Sequence, residues 1–92
     1  MIGSRCTGKL VGMPVFLLHH RHEPGGCAAA FAAWAGFSSP LRHRHAAATC
    51  LTGGHAVWWR VQAENAAAAL ALLPRYVARR TVAIEIRDVE IP

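Results

Sequence analysis

The sequence has few acidic residues, few cysteines and no long apolar run, and each shortage excludes a class of protein. Only five of the 92 residues are Asp or Glu, and none are paired at a spacing typical of two catalytic carboxylates. The three cysteines are odd in number and far apart, which argues against a disulfide scaffold. No apolar stretch approaches the ~18–20 residues that span a bilayer, so we expect no membrane segment.

The N-terminal residues also lack the apolar stretch of about 7–15 residues that is typical of a secretory signal peptide. We therefore expect a cytoplasmic protein. Residues 1–12 are polar and glycine-rich without periodicity, so we expect a flexible N-terminal arm there. Met13 and Pro14 mark the beginning of the compact domain, which we expect to cover residues 13–92.

Positive charge is present but dispersed along the chain. The formal net charge is +5, yet the arginines occur in separate segments instead of one basic tract with interleaved aromatic residues. This arrangement argues against nucleic-acid binding. Apolar residues make up 53% of the chain, but many of them are alanines, which add little core volume. Because a thin core gains stability from self-association, we expect a homodimer.

Periodic apolar patterns predict six secondary-structure elements. Short apolar or alternating runs indicate strands, whereas Phe31 and Trp34 lie three residues apart, as on one face of a helix. The pair Gly53-Gly54 between two apolar runs is typical of a hairpin turn, and Asn65 can cap a helix. The predicted strands cover residues 15–20, 47–51, 55–63 and 81–91, and the predicted helices cover 27–35 and 65–73.

The order strand, helix, strand, strand, helix, strand predicts an α+β fold of the ferredoxin-like βαββαβ type. Two right-handed crossovers arrange the strands in the order 4-1-3-2, with all neighbours antiparallel and both helices on one face. Trp58 and Arg60 of the third strand are assigned to the other face of the sheet. An open apolar sheet face indicates an interface, and we expect the second copy of the homodimer there.

Histidine and cysteine side chains are predicted to converge on one edge of this sheet. Strand two runs parallel to strand one, and strand three returns to the same end, so residues from four segments meet there. They are His19, His20 and His22 after strand one, Cys27 at the start of the first helix, Cys50 after strand two, and His55 before strand three. His43 and His45 begin strand two at the opposite end, and we leave them outside the site.

Imidazole and thiolate are ligands of borderline transition metals, so this edge predicts a site for Ni, Zn or Cu. A histidine pair two residues apart on a strand faces one side, and a helix N-terminus favours the thiolate form of Cys27. No CxxC, HxxxH or HExxH spacing is present, and Glu23 is the nearest carboxylate. The candidate ligands are His20, His22, His55, Cys27 and Cys50.

The same residues also allow an acid/base enzyme. His20 or His22 can serve as a general base, with Arg21 or Arg60 stabilising an anion. The sequence has no nucleophile elbow and no phosphate loop, so such an enzyme would be cofactor-free or metal-dependent. Its substrate would be a hydrophobic or aromatic small molecule in a pocket walled by Trp34, Trp58 and Trp59. A third alternative is a structural or partner-binding module in which these side chains only pack.

Three segments in the second half of the chain resemble muconolactone-isomerase-like proteins of the ferredoxin fold. They are GHAVWWRV at 54–61, ALALLPRYVA at 69–78 and VEIP at 89–92. The position of His19-His20 is similar to that of a histidine pair through which some relatives of this fold bind nickel. The resemblance implies a dimeric α/β barrel in a superfamily that includes isomerases, cyclases and cofactor-free monooxygenases. The histidine-rich edge departs from the isomerase pattern.

Overall fold

A computed structural model describes residues 13–92 of the chain. The predicted arm at 1–12, with Cys6, lies outside the described residues. None of the helices in the described part is long and apolar enough to cross a membrane. The strands are β1 Val15–Arg21, β2 Ala47–Ala48, β3 Ala56–Gln62 and β4 Thr81–Ile86; the helices are α1 Cys27–Ala32, α2 Ala66–Leu70 and α3 Arg75–Ala78; and 3-10 turns cover Pro24–Gly26 and Cys50–Thr52.

The four strands form one antiparallel sheet in the order β2-β3-β1-β4. This order is the predicted 4-1-3-2 arrangement read from the other edge, so the predicted α+β class and strand order are confirmed. β1 lies at the centre, where Leu18 is opposite Trp59 of β3 and Ala83 of β4. The central position explains why β1 is apolar on both faces.

The core lies on the face of the sheet that the helices cover. Alternate residues of β1 point into it, because side chains along a strand point to opposite faces. Phe16, Leu18 and His20 are buried, while the residues between them are only half-buried. Val61 of β3 completes the sheet side of the core, and Ala69, Leu73 and Val77 of the helical segments pack against it.

The other face of the sheet is apolar and open. Leu17 of β1 lies between Arg60 and Ile84 of its neighbouring strands. One register step away, His19 lies between Trp58 and Val82. The Val82 and Ile84 side chains are 61% and 44% exposed. The predicted assignment of Trp58 and Arg60 to this face is therefore confirmed.

Several elements end earlier than their sequence patterns predicted. The strand predicted to reach residue 91 ends at Ile86, because Ile86 is opposite Val15, the first residue of β1. α1 ends at Ala32, and the bonds from Trp34 to Phe31 and from Ala35 to Ala32 tighten the chain into 3-10 turns.

The helix predicted to reach Leu73 ends at Leu70, because the amides of Leu72 and Leu73 donate to carbonyls three residues earlier. Two further differences lie at turns. β2 is shortened because the carbonyl of Thr49 accepts a hydrogen bond from the amide of Gly54, and its hydroxyl accepts one from Ala56. These bonds turn the chain into β3, with Gly53 at a φ of 92° that favours glycine. The helix α3 after Pro74 was not predicted, because that proline marked the end of the preceding helix.

Candidate metal centre

The end of β1 and the beginning of β3 are joined by a backbone hydrogen bond that brings two histidines together. The amide of His22 donates to the carbonyl of His55 at 3.0 Å. After His22 the chain turns sharply, because the amide of Gly26 donates to the carbonyl of Glu23 at 2.7 Å. This 3-10 turn leads directly into α1, so Cys27 lies within reach of both imidazoles.

His22, Cys27 and His55 form a compact group of nitrogen and sulfur atoms. The Nε2 atom of His22 lies 3.2 Å from the Sγ atom of Cys27, and that sulfur lies 3.3 Å from Nδ1 of His55. All three ligand atoms lie within 4.8 Å of one another. In a tetrahedral zinc site, bonds of about 2.3 Å to sulfur and 2.0 Å to nitrogen separate the two ligand atoms by about 3.5 Å. The two observed nitrogen–sulfur distances are thus close to the distance between nitrogen and sulfur ligands of one zinc ion.

A hydrogen-bonded chain behind this group determines which ring nitrogen of His22 is unprotonated. The Thr81 hydroxyl donates to the Val77 carbonyl at 2.7 Å, so both of these oxygens act as acceptors toward Nδ1 of His20. Nδ1 of His20 therefore carries the proton, and its Nε2 accepts a bond from Nδ1 of His22 at 2.9 Å. It follows that Nε2 of His22 is unprotonated and can accept a hydrogen bond from the Cys27 thiol.

This arrangement resembles the outer layer of known metal sites. A histidine ligand usually donates its second ring N–H to a neighbouring acceptor, which fixes its tautomer and ring orientation. His20 provides that acceptor for His22. Burial lowers the pKa of His20 below its ordinary value, a shift that the hydrogen bond to the Val77 carbonyl partly opposes. Because burial outweighs this hydrogen bond, the net lowering of the pKa favours the neutral form of His20, as its acceptor role requires.

A cavity of about 340 Å³ adjoins this group on the helical face of the sheet. His20 and His22 form part of its wall, and His22 also contacts the Cys27 sulfur. Tryptophans and arginines line other parts of it. They are Trp34 and Trp59, which lie 5.8 Å apart between ring centroids, and Arg42 and Arg44 of the loop before β2.

The structure places the predicted site residues in three different roles. His22, Cys27 and His55 meet directly, and His20 lies behind them with both ring nitrogens in hydrogen bonds. Cys50 lies in the 3-10 turn after β2, and it is not part of the group of three. The two cysteines in the described part of the chain are both free thiols.

His19 does not share a site with His20, although the two are adjacent in sequence. It points to the open face of the sheet, where it stacks on Trp58 with ring centroids 5.0 Å apart and planes 9° from parallel. Neighbouring residues of a strand project from opposite faces, so His19 and His20 cannot chelate one ion together. A nickel site built on that pair does not fit this strand.

The structure also gives the positions of His43 and Glu23 relative to the metal group. His43 is not part of the group of three, but the loop before β2 folds so that His43 lines the same cavity as His20. Glu23 is not an outer-layer partner of the metal group. Its exposed carboxylate lies 3.7 Å from Arg80, and the acceptors that face Nδ1 of His20 are the neutral oxygens of Val77 and Thr81.

The sequence pattern did not reveal Thr81 as a partner of His20, or Arg42 and Arg44 as residues that line the cavity. Thr81 looked like the first residue of a strand, and its contact with His20 spans 61 positions of the chain. The two arginines alternate with histidines in Arg42-His43-Arg44-His45, and this local concentration of basic groups was the available signal.

The group of three lies at a junction of β1, α1 and the start of β3, and the cavity adjoins it. Its function must be argued from this geometry, because other proteins provide no guide. Comparisons with protein-family models, with curated proteins and with solved structures found no match for this chain.

Proposed function

We propose that this protein binds a transition-metal ion through His22, Cys27 and His55, with His20 as the hydrogen-bond partner that orients His22. The observation that carries the proposal is the convergence of two imidazole nitrogens and one sulfur within 4.8 Å. The unprotonated Nε2 of His22 supports it, because a histidine ligand must present an unprotonated nitrogen to the metal.

Of nickel, zinc and copper, zinc suits this ligand set best. Two imidazoles and one thiolate are borderline to soft ligands, which exclude hard ions such as Mg²⁺ and Ca²⁺. Three protein ligands leave a fourth tetrahedral position for water or a substrate atom, as in catalytic zinc sites. Copper and nickel accept the same ligands, and the titration below compares them with zinc.

A titration with Co²⁺ tests the site, because a thiolate bound to this ion produces a charge-transfer absorption in the near ultraviolet. We expect one Co²⁺ per chain, and we expect Zn²⁺ to displace it. Cys27→Ser should abolish the charge-transfer band and weaken Zn²⁺ binding at least about tenfold, since it replaces the thiolate with a poor ligand. The same displacement assay ranks Ni²⁺ and Cu²⁺ against Zn²⁺.

Cys50→Ser is the matched control, because it removes the other described thiol without touching the group of three. The control should retain the band and the affinity of the unaltered protein. Equal loss in both variants, or no metal bound by the unaltered protein, would show that the three side chains do not form a metal site.

A second candidate function is acid/base catalysis without a metal. The observation that favours it is the cavity beside His22, together with the hydrogen bond from His22 to His20 that orients the imidazole. A base oriented in this way and placed beside a cavity with aromatic walls is suited to proton abstraction from a small molecule. Failure to retain metal would favour this function over the first.

We further propose that the fold is ferredoxin-like and related to the dimeric α/β-barrel proteins. The strand order and the placement of the helices on one face support this proposal. The exposed Val82 and Ile84 support a second copy of this chain as the partner of the open sheet face. Free thiols in Cys27 and Cys50 are consistent with the reducing cytoplasm as the compartment.

A further inference from the structure

We propose that the cavity beside the metal centre binds a small, flat, aromatic molecule that carries a carboxylate. This inference goes beyond metal binding, because it rests on aromatic walls and on arginines that are not part of the group of three. The cavity volume of about 340 Å³ falls at the lower end of the range for small-molecule sites. A molecule of one or two fused rings suits that volume.

The walls of the cavity favour a flat ring. Trp34 and Trp59 both line it, with ring planes 48° apart, so they form a wedge of two aromatic surfaces. Phe31 of α1 lines the cavity as well and is largely exposed, so its ring is available for contact with a ligand. Aromatic ligands gain both apolar burial and ring stacking against such surfaces.

The charge of the lining favours an anion. Arg42 and Arg44 contribute cationic groups, and none of the acidic residues lines the cavity. Arg42 donates to the Phe37 carbonyl at 3.4 Å, the outer limit of a hydrogen bond, and neither arginine belongs to an ion pair within residues 13–92. A guanidinium without a carboxylate partner is suited to bidentate recognition of a carboxylate.

The loop that carries these arginines is anchored rather than loose. The Ser39 hydroxyl donates to the Leu72 carbonyl at 2.7 Å and accepts a bond from the amide of Leu41 at 3.1 Å. Leu41 itself packs against the core. His43 then adopts a φ of 64°, a left-handed conformation that few residues other than glycine favour. Anchoring of this kind reduces the entropy that is lost when the arginines close on a ligand.

The test uses 2-naphthoate as the probe and 2-naphthamide, a neutral molecule of the same shape, as its comparison. Calorimetric titration of the full chain, freed of metal by a chelator and then dialysed, measures both affinities. We expect naphthoate to bind about tenfold or more tightly than naphthamide. Arg44→Gln and Arg42→Gln should each weaken naphthoate binding several-fold and leave naphthamide binding unchanged, because only the carboxylate contacts these groups.

Arg79→Gln is the matched control, since Arg79 is exposed and does not line the cavity. It should bind both probes like the unaltered protein. Equal affinities for the two probes, no binding of either, or naphthoate binding that survives both arginine changes would overturn the proposal. Because the protein is free of metal, these outcomes do not depend on the metal site, and circular dichroism verifies that each variant remains folded.

Discussion

His20 has no atom in the group of three ligands, yet both of its ring nitrogens make hydrogen bonds. One faces the neutral oxygens of Val77 and Thr81, and the other accepts a hydrogen bond from Nδ1 of His22. The ring is only 1% exposed, so water cannot replace these partners. At the scale of single residues, the protonation of one buried imidazole therefore determines which nitrogen of its neighbour is unprotonated.

Replacing His20 with alanine should weaken metal binding although His20 is not a ligand. Loss of an outer-layer partner typically lowers metal affinity about 10–100-fold, because the ligand is then free to adopt other tautomers and orientations. Competition with a chromophoric chelator measures the affinity. His19→Ala is the control, since His19 lies on the opposite face of the same strand. Equal effects of the two changes would show that His20 has no specific role.

At the scale of elements, the stability of the short helices depends on hydrogen bonds at their ends. α2 has only five residues, and the Asn65 side chain before it accepts a hydrogen bond from the amide of Ala68 at 2.8 Å. Helices this short are marginal alone, so caps and packing account for much of their stability. Ala69 of α2 is fully buried against the sheet, and the cap therefore supports part of the core.

Asn65→Ala should lower the free energy of unfolding by about 1 kcal/mol, because an alanine side chain cannot accept the amide hydrogen bond. Urea denaturation followed by circular dichroism measures the change. In Asn65→Asp the side-chain acceptor is kept, so this variant should remain within a few tenths of a kcal/mol of the unaltered protein. A loss of stability in Asn65→Asp as large as that in Asn65→Ala would contradict the capping role.

At the scale of the whole molecule, the sheet has one face covered by helices and one face open. The open face carries Leu17, Trp58, Val82 and Ile84, and contiguous apolar surface of this kind is rarely left exposed to water. The cavity and the metal group lie on the covered face. A second copy on the open face would therefore leave the metal group and the cavity accessible.

We expect gel filtration with light scattering to give about twice the mass of one chain. Ile84→Glu should shift the protein toward the monomer, because it places a charge in the middle of the proposed interface. Val89 is 75% exposed and lies beyond the end of β4, so Val89→Glu is a control that should stay dimeric. A monomer in the unaltered protein would rule out this use of the open face.

The sequence by itself determined the sheet and the edge at which the histidines meet. The alternation of β3 specifies which of its side chains share a face, because side chains alternate along a strand. The uninterrupted apolar run of β1 indicates a strand in the centre of the sheet. Parallel and antiparallel directions then follow from the order of the elements. Those rules sufficed to bring His22, Cys27 and His55 to one place.

Only the tertiary structure decided how these side chains divide their roles. Periodicity places His20 and His22 on one face. It does not indicate that Val77 and Thr81 provide the acceptors for Nδ1 of His20. It also did not place His43 beside the cavity, since the path of a loop depends on anchors such as the bond from Ser39 to Leu72. Local patterns encode strands and helices, whereas contacts between distant segments depend on the packing of the whole chain.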